Sequence, residues 1–600
     1  IFALFLILCG LCLNLKAETQ GDVVGRVLDD SGAPLAGATV QILHAKDGVT
    51  TDEDGYFRIP YSKDGAVRVK VSFVGYQTQT FVLKADERKG EQHVLRLQPD
   101  ATALDQVVVT ATRTPKALKD APVVTRLITA NDIKIADATN IQDLLTEQMP
   151  GLEFGYAMNQ ETSLNMNGFG GNAVLFLVDG ERLAGETMDN VDYSRLNLDN
   201  VGRIEIVKGA ASALYGANAV AGVVNIISRE NSEPWTANVN TRYNDFNKEW
   251  RHGGSFSFNA GKWNSQTSIQ RTTSDEVQLT SPFDTESNIL HIYGGETFNV
   301  KERLTYKLSD KVKLIGRGGY FNRISKRSNY DDHYMDYSAG LKTVMNLSEN
   351  DNLEISYGFD QYDKARYVND ERTHDHDYTN RQNTVRALYS HIFGKNTLTV
   401  GADFLNDYLT TYQFEDNESK NQNSYDAFAQ FDYNPLQWLN IVASLRHDYF
   451  SASSQHATTG RLALMTKWKG FSIRANYAGG FRAPTLKEMY MNFDMAGMQM
   501  IYGNPDLKPE KSNNYNLALE HTGRVKNAGF FTGQYSLTLM GYYNKYDKRI
   551  TTEDYADYTP GTGQPDVASR YCNEDGVEVS GIDFSAQYRS DMGLGVKLDY

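Results

Sequence analysis

The sequence predicts a mainly β protein whose longer, C-terminal part is a transmembrane antiparallel β-barrel. From Pro234 onward, segments of about ten residues alternate apolar and polar side chains, as barrel strands of roughly 9–11 residues do. The composition agrees, with 36 Tyr, 27 Phe and 49 Gly but only 14 Pro in 600 residues. Mean hydropathy is -0.49, and after residue 15 no apolar run approaches the roughly 18 residues of a spanning helix.

The alternation gives each predicted strand one apolar and one polar face. In three such segments the apolar faces carry Leu353, Ile355, Tyr357 and Phe359, then Leu439, Ile441 and Leu445, then Tyr535, Leu537, Leu539 and Tyr543. The opposite faces carry Glu354, Ser356, Asp360, Asn440, Ser444, Arg446, Ser536, Thr538 and Asn544. A soluble all-β protein has a similar composition, but its dry core cannot accept a polar inner face, whereas a wet barrel lumen can. The pattern therefore favours the barrel.

Residues 1–17 are typical of a secretory signal peptide, because an apolar run is followed by Lys16-Ala17 and then by polar sequence. The chain does not begin with Met, so we expect the charged start of this peptide to be missing. Cleavage after Ala17 leaves Cys572 as the sole cysteine, which excludes an intramolecular disulfide and a cysteine metal cluster in the mature chain.

Residues 18–99 predict a small Ig-like β-sandwich, since short strand-like segments alternate with turn signals. The segments are Val23–Val27, Thr39–Leu43, Tyr56–Ile59, Val67–Phe73 and Thr80–Leu83. Asp52, Glu53 and Asp54 precede Gly55 and resemble part of a calcium loop, but the distal Glu of such a loop is absent and an ordinary turn is favoured.

The formal net charge of the chain is -15, which argues against a nucleic-acid partner.

Residues 104–111 (LDQVVVTA) form an extended segment between Pro99 and Pro115, and we expect no hairpin partner for it. Such a segment can add itself to the sheet edge of another protein through main-chain hydrogen bonds. The alternative is that it is the first strand of the following domain. The sequence of that domain predicts an α+β fold. It indicates a capped helical turn near Asn131, a helix that begins at Asn140 and ends before Pro150, and a buried strand, Val174–Val178.

Residues 200–229, NVGRIEIVKGAASALYGANAVAGVVNIISR, resemble the closing segment of the plug domain of TonB-dependent outer-membrane receptors. LLTEQMPGLEF and NGFGGNAVLFLVDGERL resemble earlier plug segments, and FRAPTL and GNPDLKPE resemble barrel signatures of the same family. GRVLDDSGAPLAGATV, TTDEDGYFRI and VSFVGYQTQ resemble the carboxypeptidase-regulatory-like domain at the front of many Bacteroidetes receptors. Residues 105–111 resemble the TonB box, the strand through which these receptors are coupled to TonB.

The resemblance implies five parts: a signal peptide (1–17), a carboxypeptidase-regulatory-like sandwich (18–99), a linker with the TonB box (100–115), a plug (116–230) and a barrel (231–600). Plugged transporters have 22 strands. The 367 residues from Pro234 to Tyr600 allow about 15–18 strands at roughly 20–25 residues each. We therefore expect the C-terminal strands to be missing from this sequence.

The implied function is energy-coupled import across the outer membrane of a Gram-negative bacterium. The implied partners are the TonB protein with its inner-membrane energising complex, outer-membrane lipids and a small-molecule or chelate ligand, with a surface lipoprotein as a further candidate. The alternative is a ligand-sensing signalling receptor without transport; a passive pore is disfavoured by the plug. No enzyme motif (G-x-S-x-G, H-E-x-x-H or a phosphate loop) is found, and no cofactor is expected.

The candidate site residues fall into three groups. The TonB box is Asp105, Gln106, Val107, Val108, Val109, Thr110 and Ala111. Candidate plug–barrel contacts are Arg203, Glu205 and Lys208, and candidate ligand-binding residues are Tyr156, Arg182, Tyr490, Met495 and Met498. Iron chelates or haem are slightly favoured as ligands, and cobalamin and oligosaccharide stay open. Methionine can ligate haem iron, so Met495 or Met498 could replace the His that haem receptors of the family carry there, but an apolar loop is the simpler interpretation.

Overall fold

The computed structural model describes residues 21–29, 34–35, 38–42, 48–52, 54–61, 67–73, 79–83, 93–97, 107–156, 160–186, 189–229, 233–280, 289–415, 418–495, 497–526, 528–561 and 563–600. The predicted signal peptide and two residues of the predicted TonB box, Asp105 and Gln106, lie outside these ranges. The chain divides into two compact units, the first made of Ile1–Gln106, Thr522–Ser536 and Gln587–Lys597 and the second of Val107–His521, Leu537–Ala586 and Leu598–Tyr600.

The N-terminal domain is a sandwich of two small sheets. Its strands are β1 (Gly21–Asp29), β2 (Thr39–Ile42), β3 (Gly48–Thr50), β4 (Tyr56–Tyr61), β5 (Val67–Ser72), β6 (Gln79–Leu83) and β7 (His93–Leu97). They form a β4-β1-β7 sheet and a β3-β2-β5-β6 sheet. Buried residues of both sheets, including Val23, Ile59, Val40 and Val69, share one apolar cluster, which confirms the predicted sandwich. Asp52 accepts hydrogen bonds from the main-chain N–H groups of residues 54 and 56, as in an ordinary turn.

Residues 107–229 form a small α+β domain, called the plug below. Its elements are β8 (Val107–Val108), β9 (Lys116–Ala117), β10 (Thr125–Thr129), α1 (Ala130–Ala136), α2 (Ile141–Gln148), β11 (Leu152–Tyr156), β12 (Thr162–Met166), β13 (Phe169–Gly170), β14 (Val174–Val178), β15 (Glu181–Arg182), β16 (Val201–Lys208), α3 (Ser212–Tyr215) and β17 (Gly222–Ser228), with 3-10 turns at Leu118–Asp120, Gly171–Ala173 and Tyr193–Arg195. One sheet has the order β10-β16-β17-β14-β15 and a second has the order β11-β12-β13.

The helices and the buried strand of the plug form where the capping residues and the apolar run in the sequence predict them. Thr129 and Asp132 form a capping box at the start of α1, and the Asn140 side chain accepts from the N–H of Asp143 at the start of α2. The predicted buried strand is β14, whose parallel pairing with β17 places both strands in the plug core. The five-stranded sheet thus fixes the position of the turn after β14 and of the charged residues on β16.

The expectation that residues 104–111 have no hairpin partner is wrong for the part that the structure describes. Val107 and Val108 pair antiparallel with Ala117 and Lys116, and the chain turns between them. The reason lies in β16, where the buried carboxylate of Glu205 attracts two main-chain N–H groups of this turn.

From residue 235 the chain forms one antiparallel sheet of 17 strands, in which each strand pairs with the next along the chain; it is called the wall below. The strands are β18 (Trp235–Asn244), β19 (Glu249–Ala260), β20 (Trp263–Ser274), β23 (Gly295–Lys307), β24 (Val312–Lys326), β25 (Asp331–Asn346), β26 (Asp351–Val368), β27 (Glu371–Phe393), β28 (Asn396–Thr411), β29 (Ser419–Leu436), β30 (Leu439–Phe450), β31 (Gln455–Trp468), β32 (Phe471–Arg482), β35 (Glu510–Val525), β36 (Gly533–Asp547), β39 (Val577–Ser590) and β40 (Gly595–Asp599). This number confirms the expected 15–18 strands.

Smaller elements lie in three links between wall strands, all at the same end, called the upper end. They are β21 (Val277–Thr280) and β22 (Ile289–Ile292); α4 (Leu486–Tyr490), β33 (Asn492–Asp494) and β34 (Met500–Tyr502); and β37 (Arg549–Asp554) and β38 (Ala568–Glu574). A 3-10 turn at Gly529–Phe531 lies in a link at the other, lower end. Many strands are longer than the predicted ten residues, up to 23 in β27.

As predicted, the wall carries apolar side chains on its outer face and polar side chains on its inner face. Ile355, Tyr357 and Leu445 on its outer face are 45%, 44% and 60% exposed, whereas Ser356 and Arg446 on the inner face are 5% and 3% exposed. In the part of the chain that the structure describes, no helix is long and apolar enough to cross a membrane.

Candidate functional site between plug and wall

The plug contacts the polar inner face of the wall through buried charges. Arg195, 3% exposed, pairs with Asp336 at 2.5 Å and with Asp360 at 2.8 Å. The carbonyl of the same residue accepts hydrogen bonds from Asn299 (3.0 Å) and from Lys301 (2.9 Å). Removing one partner from a buried pair of this kind costs about 3–5 kcal/mol, because the other charge is left unpaired. Arg195 therefore fixes this edge of the plug to strands β23, β25 and β26.

A second layer of charges lies further toward the upper end. Arg323 of the wall contacts two plug carboxylates, Glu161 at 3.1 Å and Asp192 at 3.0 Å. Tyr334 donates to Glu161 at 2.9 Å, and Tyr362 donates to Asp192 at 2.8 Å. Burial opposes ionisation of Asp192, but Arg323 and two hydroxyl donors outweigh it and lower the pKa of the carboxyl. The plug loops are thus held to β24–β26 at two levels.

Two wall arginines hold the turn that follows β14, residues Val178–Glu181. Arg317 donates to the carbonyl of Val178 at 3.0 Å and lies 3.6 Å from the carboxylate of Glu181. Arg386 donates to the carbonyl of Gly180 at 3.0 Å. Burial raises the pKa of Glu181, but the charges of Arg386 and Arg317 exceed that effect, and the net pKa is lowered. The carboxylate is therefore ionised at neutral pH.

Residues Val109–Arg113, called the coupling segment below, are held almost entirely by side chains. The carboxylate of Glu205, fully buried, accepts from the N–H groups of Val109 (2.9 Å) and Thr110 (2.8 Å) and from the Thr110 hydroxyl (2.7 Å). The carbonyls of residues 110, 111 and 112 accept from Tyr215 (3.1 Å), Arg461 (3.1 Å) and Gln430 (2.6 Å), respectively. Plug and wall side chains together occupy the main-chain groups that an added β-strand would use.

The three predicted plug charges have different partners. Lys208 reaches the wall, where it pairs with Asp583 at 2.6 Å, and it also donates to the carbonyl of Pro150. Arg203 pairs with Glu205 at 2.7 Å, and Glu205 faces the coupling segment.

The predicted ligand residues also lie in different surroundings. Tyr156 is 78% exposed and Met498 is 57% exposed, while Met495 and Tyr490 are half-buried, all of them outside the wall strands. Arg182 instead donates to the plug carbonyls of residues 215 and 217, and burial lowers the pKa of its guanidinium to about 10. Of the neighbouring methionines, Met489, Met491 and Met500 are buried. Among the described residues, no group of three or more His, Cys, Asp and Glu is arranged to hold a metal ion.

Among the cavities lined by residues that the structure describes, two lie between plug and wall. The upper cavity has a volume of about 120 Å³ and is bounded by the Val178–Glu181 turn and the inner faces of β20 and β23–β27. The lower cavity has a volume of about 1220 Å³ and is bounded by Arg113–Ala117 and by the lower parts of β25–β31. The upper cavity thus has about a tenth of the volume of the lower one, which is larger than a common ligand pocket of roughly 300–1,000 Å³.

The residues that hold the plug, Arg195, Arg317, Arg386 and Arg461, were not among the sequence candidates. One signal could have found the three in the wall, since each occupies a polar position of an alternating strand and therefore faces the plug. Their acceptors could not be predicted, because these are mostly main-chain carbonyls that no residue type marks.

An antiparallel wall with a polar inner face and a small domain held against it define a plugged β-barrel of the outer-membrane type. A model of the TonB dependent receptor-like β-barrel matches residues 195–600, a model of the TonB-dependent receptor plug domain matches residues 117–223, and a model of the CarboxypepD_reg-like domain matches residues 23–109. The chain belongs to the TonB-dependent receptor family. Members of this family are outer-membrane receptors and not enzymes.

Relatives and solved structures agree with the assignment. The chain is 26% identical over 514 residues to the vitamin B12 transporter BtuB of Photobacterium profundum, covering 82% of this chain and 77% of the relative. A mutant of the ferric enterobactin receptor PfeA from Pseudomonas aeruginosa superposes with a TM-score of 0.64 at 16% identity, covering 77% of both chains. A double mutant of the Serratia marcescens hemophore receptor HasR, in complex with its hemophore HasA and heme, superposes with a TM-score of 0.64 at 13% identity, covering 78% of this chain and 80% of the other.

Proposed function

We propose that this receptor imports a scarce metal chelate across the outer membrane and that the TonB protein drives the import by pulling on residues 105–111. The observation that carries the proposal is the way in which the coupling segment is held. Its main-chain groups bind side chains of Glu205, Tyr215, Gln430 and Arg461 instead of a sheet. Such contacts break one at a time, so a pulling partner can replace them with strand pairing.

The resting contacts support an order of events in which pulling follows ligand binding. In the held state the N–H groups of Val109 and Thr110 and three consecutive carbonyls are already bonded. A partner strand can pair only after these bonds open. A ligand that binds at the upper end and shifts the plug would weaken them, since Tyr215 and Glu205 belong to the plug core. In this proposal the N-terminal sandwich and the coupling segment lie in the periplasm, where TonB and its energising complex act.

The ligand class is inferred from the named relatives and the upper-end residues. Vitamin B12, ferric enterobactin and heme, which the relatives' names contain, are all metal chelates. Tyr156, Tyr490, Met495 and Met498 lie in plug and upper-end segments and offer aromatic and thioether groups to a large, planar or apolar ligand. Arg182 is bonded inside the plug and is no longer a candidate in this proposal. A surface lipoprotein stays a candidate partner.

The test uses radiolabelled cyanocobalamin, ferric enterobactin and haemin as probes on cells that carry the receptor. We expect at least one probe to bind and to be taken up, and deletion of residues 105–111 to abolish uptake while surface binding is retained. The matched control deletes seven residues, 555–561, from an upper-end link; it should leave the coupling intact. Unchanged uptake after deletion of residues 105–111 would contradict the TonB-coupled mechanism, and failure of all three probes to bind would contradict the ligand class.

A further inference from the structure

The upper and lower cavities are separated by one level of wall side chains. The upper cavity ends at Gly358 and Thr384, which are register partners on β26 and β27. The lower cavity begins at Glu354 and Leu388, which are also partners. Four residues of strand span only about 14 Å, at roughly 3.4 Å per residue. Little protein therefore separates the two cavities.

The intervening level consists of Lys342, Ser356 and Arg386, which are register neighbours across β25, β26 and β27. Ser356 and Arg386 are 5% and 9% exposed, and all three occupy inner-face positions. Above them lies the Val178–Glu181 turn, whose Gly180 carbonyl accepts from Arg386. The upper and lower cavities are thus separated by a row of wall side chains and one plug turn, which are joined by a hydrogen bond.

On the plug side the turn is tied to β17, so it leaves the wall only together with that strand. Asp179 donates its N–H to the carbonyl of Ile226 and accepts from the N–H and hydroxyl of Ser228, and the Gly180 N–H donates to Asn225. Gly180 has a left-handed backbone, and a side chain placed there would meet nothing within 4 Å. On the wall side the turn is held by two arginines, through the carbonyls of Val178 and Gly180. Breaking these bonds leaves Arg386 paired with Asp403 at 2.8 Å, so its charge stays compensated.

We propose that the Val178–Glu181 turn and the Lys342–Ser356–Arg386 row form the gate of the import passage, through which the ligand moves from the upper to the lower cavity. The inference rests on the import function proposed above and adds its route. Closed, the upper cavity has a volume of about 120 Å³; opened, it joins a space of about 1220 Å³. The coupling segment borders that space at Arg113, so a pull on the segment acts beside the exit.

The gate is tested by the reaction of a buried thiol, without ligand or TonB. Ser356→Cys is introduced into a Cys572→Ser background, and its reaction with 2-aminoethyl methanethiosulfonate is followed by mass spectrometry on the receptor in detergent micelles. Adding Arg386→Gln removes the charged donor to the turn. We expect the thiol to react about 10- to 100-fold faster, since a hydrogen bond to a charged group contributes about 1.5–3 kcal/mol.

The matched control is Arg474→Gln. Arg474 has the same chemistry on another strand, because it donates to a plug carbonyl, that of Ala121, and pairs with Glu520. We expect it to leave the Ser356→Cys rate within twofold of the parent, and we expect Arg317→Gln, a second gate variant, to act like Arg386→Gln. Because Arg386 adjoins Ser356 and Arg317 does not, the proposal is overturned if Arg317→Gln leaves the rate unchanged, if Arg474→Gln raises it equally, or if the parent thiol already reacts as fast as an exposed one. If deletion of residues 105–111 left uptake unchanged while the gate variants still accelerated the thiol reaction, the TonB-coupled mechanism would be overturned and the gate would not.

Discussion

Replacing Glu205 with Gln should loosen the coupling segment without unfolding the plug. One carboxylate oxygen of Glu205 accepts three hydrogen bonds from Val109 and Thr110. A charge-assisted hydrogen bond contributes about 2 kcal/mol and a neutral one about 1 kcal/mol, so the substitution weakens the attachment by about 3 kcal/mol. That corresponds to an increase on the order of 100-fold in the population with the segment detached. Arg203, the ion-pair partner, is 30% exposed and can be hydrated after the change.

Amide hydrogen exchange reads this opening directly, because the N–H groups of Val109 and Thr110 exchange only when they leave the carboxylate. We expect exchange in the peptide that covers residues 107–112 to accelerate by about two orders of magnitude, following the free-energy change above. Glu153→Gln, at an exposed plug position, is the control and should change nothing there. Equal exchange rates in Glu205→Gln and the parent, or an equal acceleration in β17, would refute the reasoning.

Two further predictions concern the plug–wall contacts. Lys208→Met leaves Asp583 unpaired and should lower the free energy of plug unfolding by about 3 kcal/mol, measured by protease susceptibility in urea. The double variant Lys208→Met/Asp583→Leu should recover most of that loss, and no recovery would argue against the pair. Because the pKa of Glu181 is held below its ordinary 4.5, its contribution to stability is complete above pH 4.5 and is lost as the pH falls through the lowered value. Protection of the Gly180 amide from hydrogen exchange should therefore fall on acidification below pH 4.5, and Glu181→Gln should remove this dependence; the same pH profile in the variant would exclude Glu181 as the cause.

The parts of the fold that sequence reasoning captured are those with a local signal. Alternation with a period of two places Ser356 and Arg446 inside and Ile355 and Leu445 outside regardless of what they contact. Capping residues and Gly-rich turns likewise mark the plug helices and the turn after β14. Strand length was underestimated, since β27 and its neighbours continue beyond the apolar segment as polar strands.

The contacts of the site needed the tertiary structure. Glu205 lies on β16 between Ile204 and Ile206, and nothing local distinguishes a residue that faces the wall from one that faces the coupling segment. The coupling segment itself reads as a free strand because its β-branched residues favour extension. Its hairpin depends on the carboxylate of Glu205, almost a hundred residues away along the chain. A contact over that distance produces no repeating pattern of residue types that sequence analysis could detect.

Besides the ion pairs, the wall binds peptide carbonyls of the plug through Arg317, Arg386, Arg461 and Arg474. A carbonyl is present at every residue, so plug substitutions at the positions they contact leave the acceptor in place, and the plug sequence can diverge while the wall still binds it.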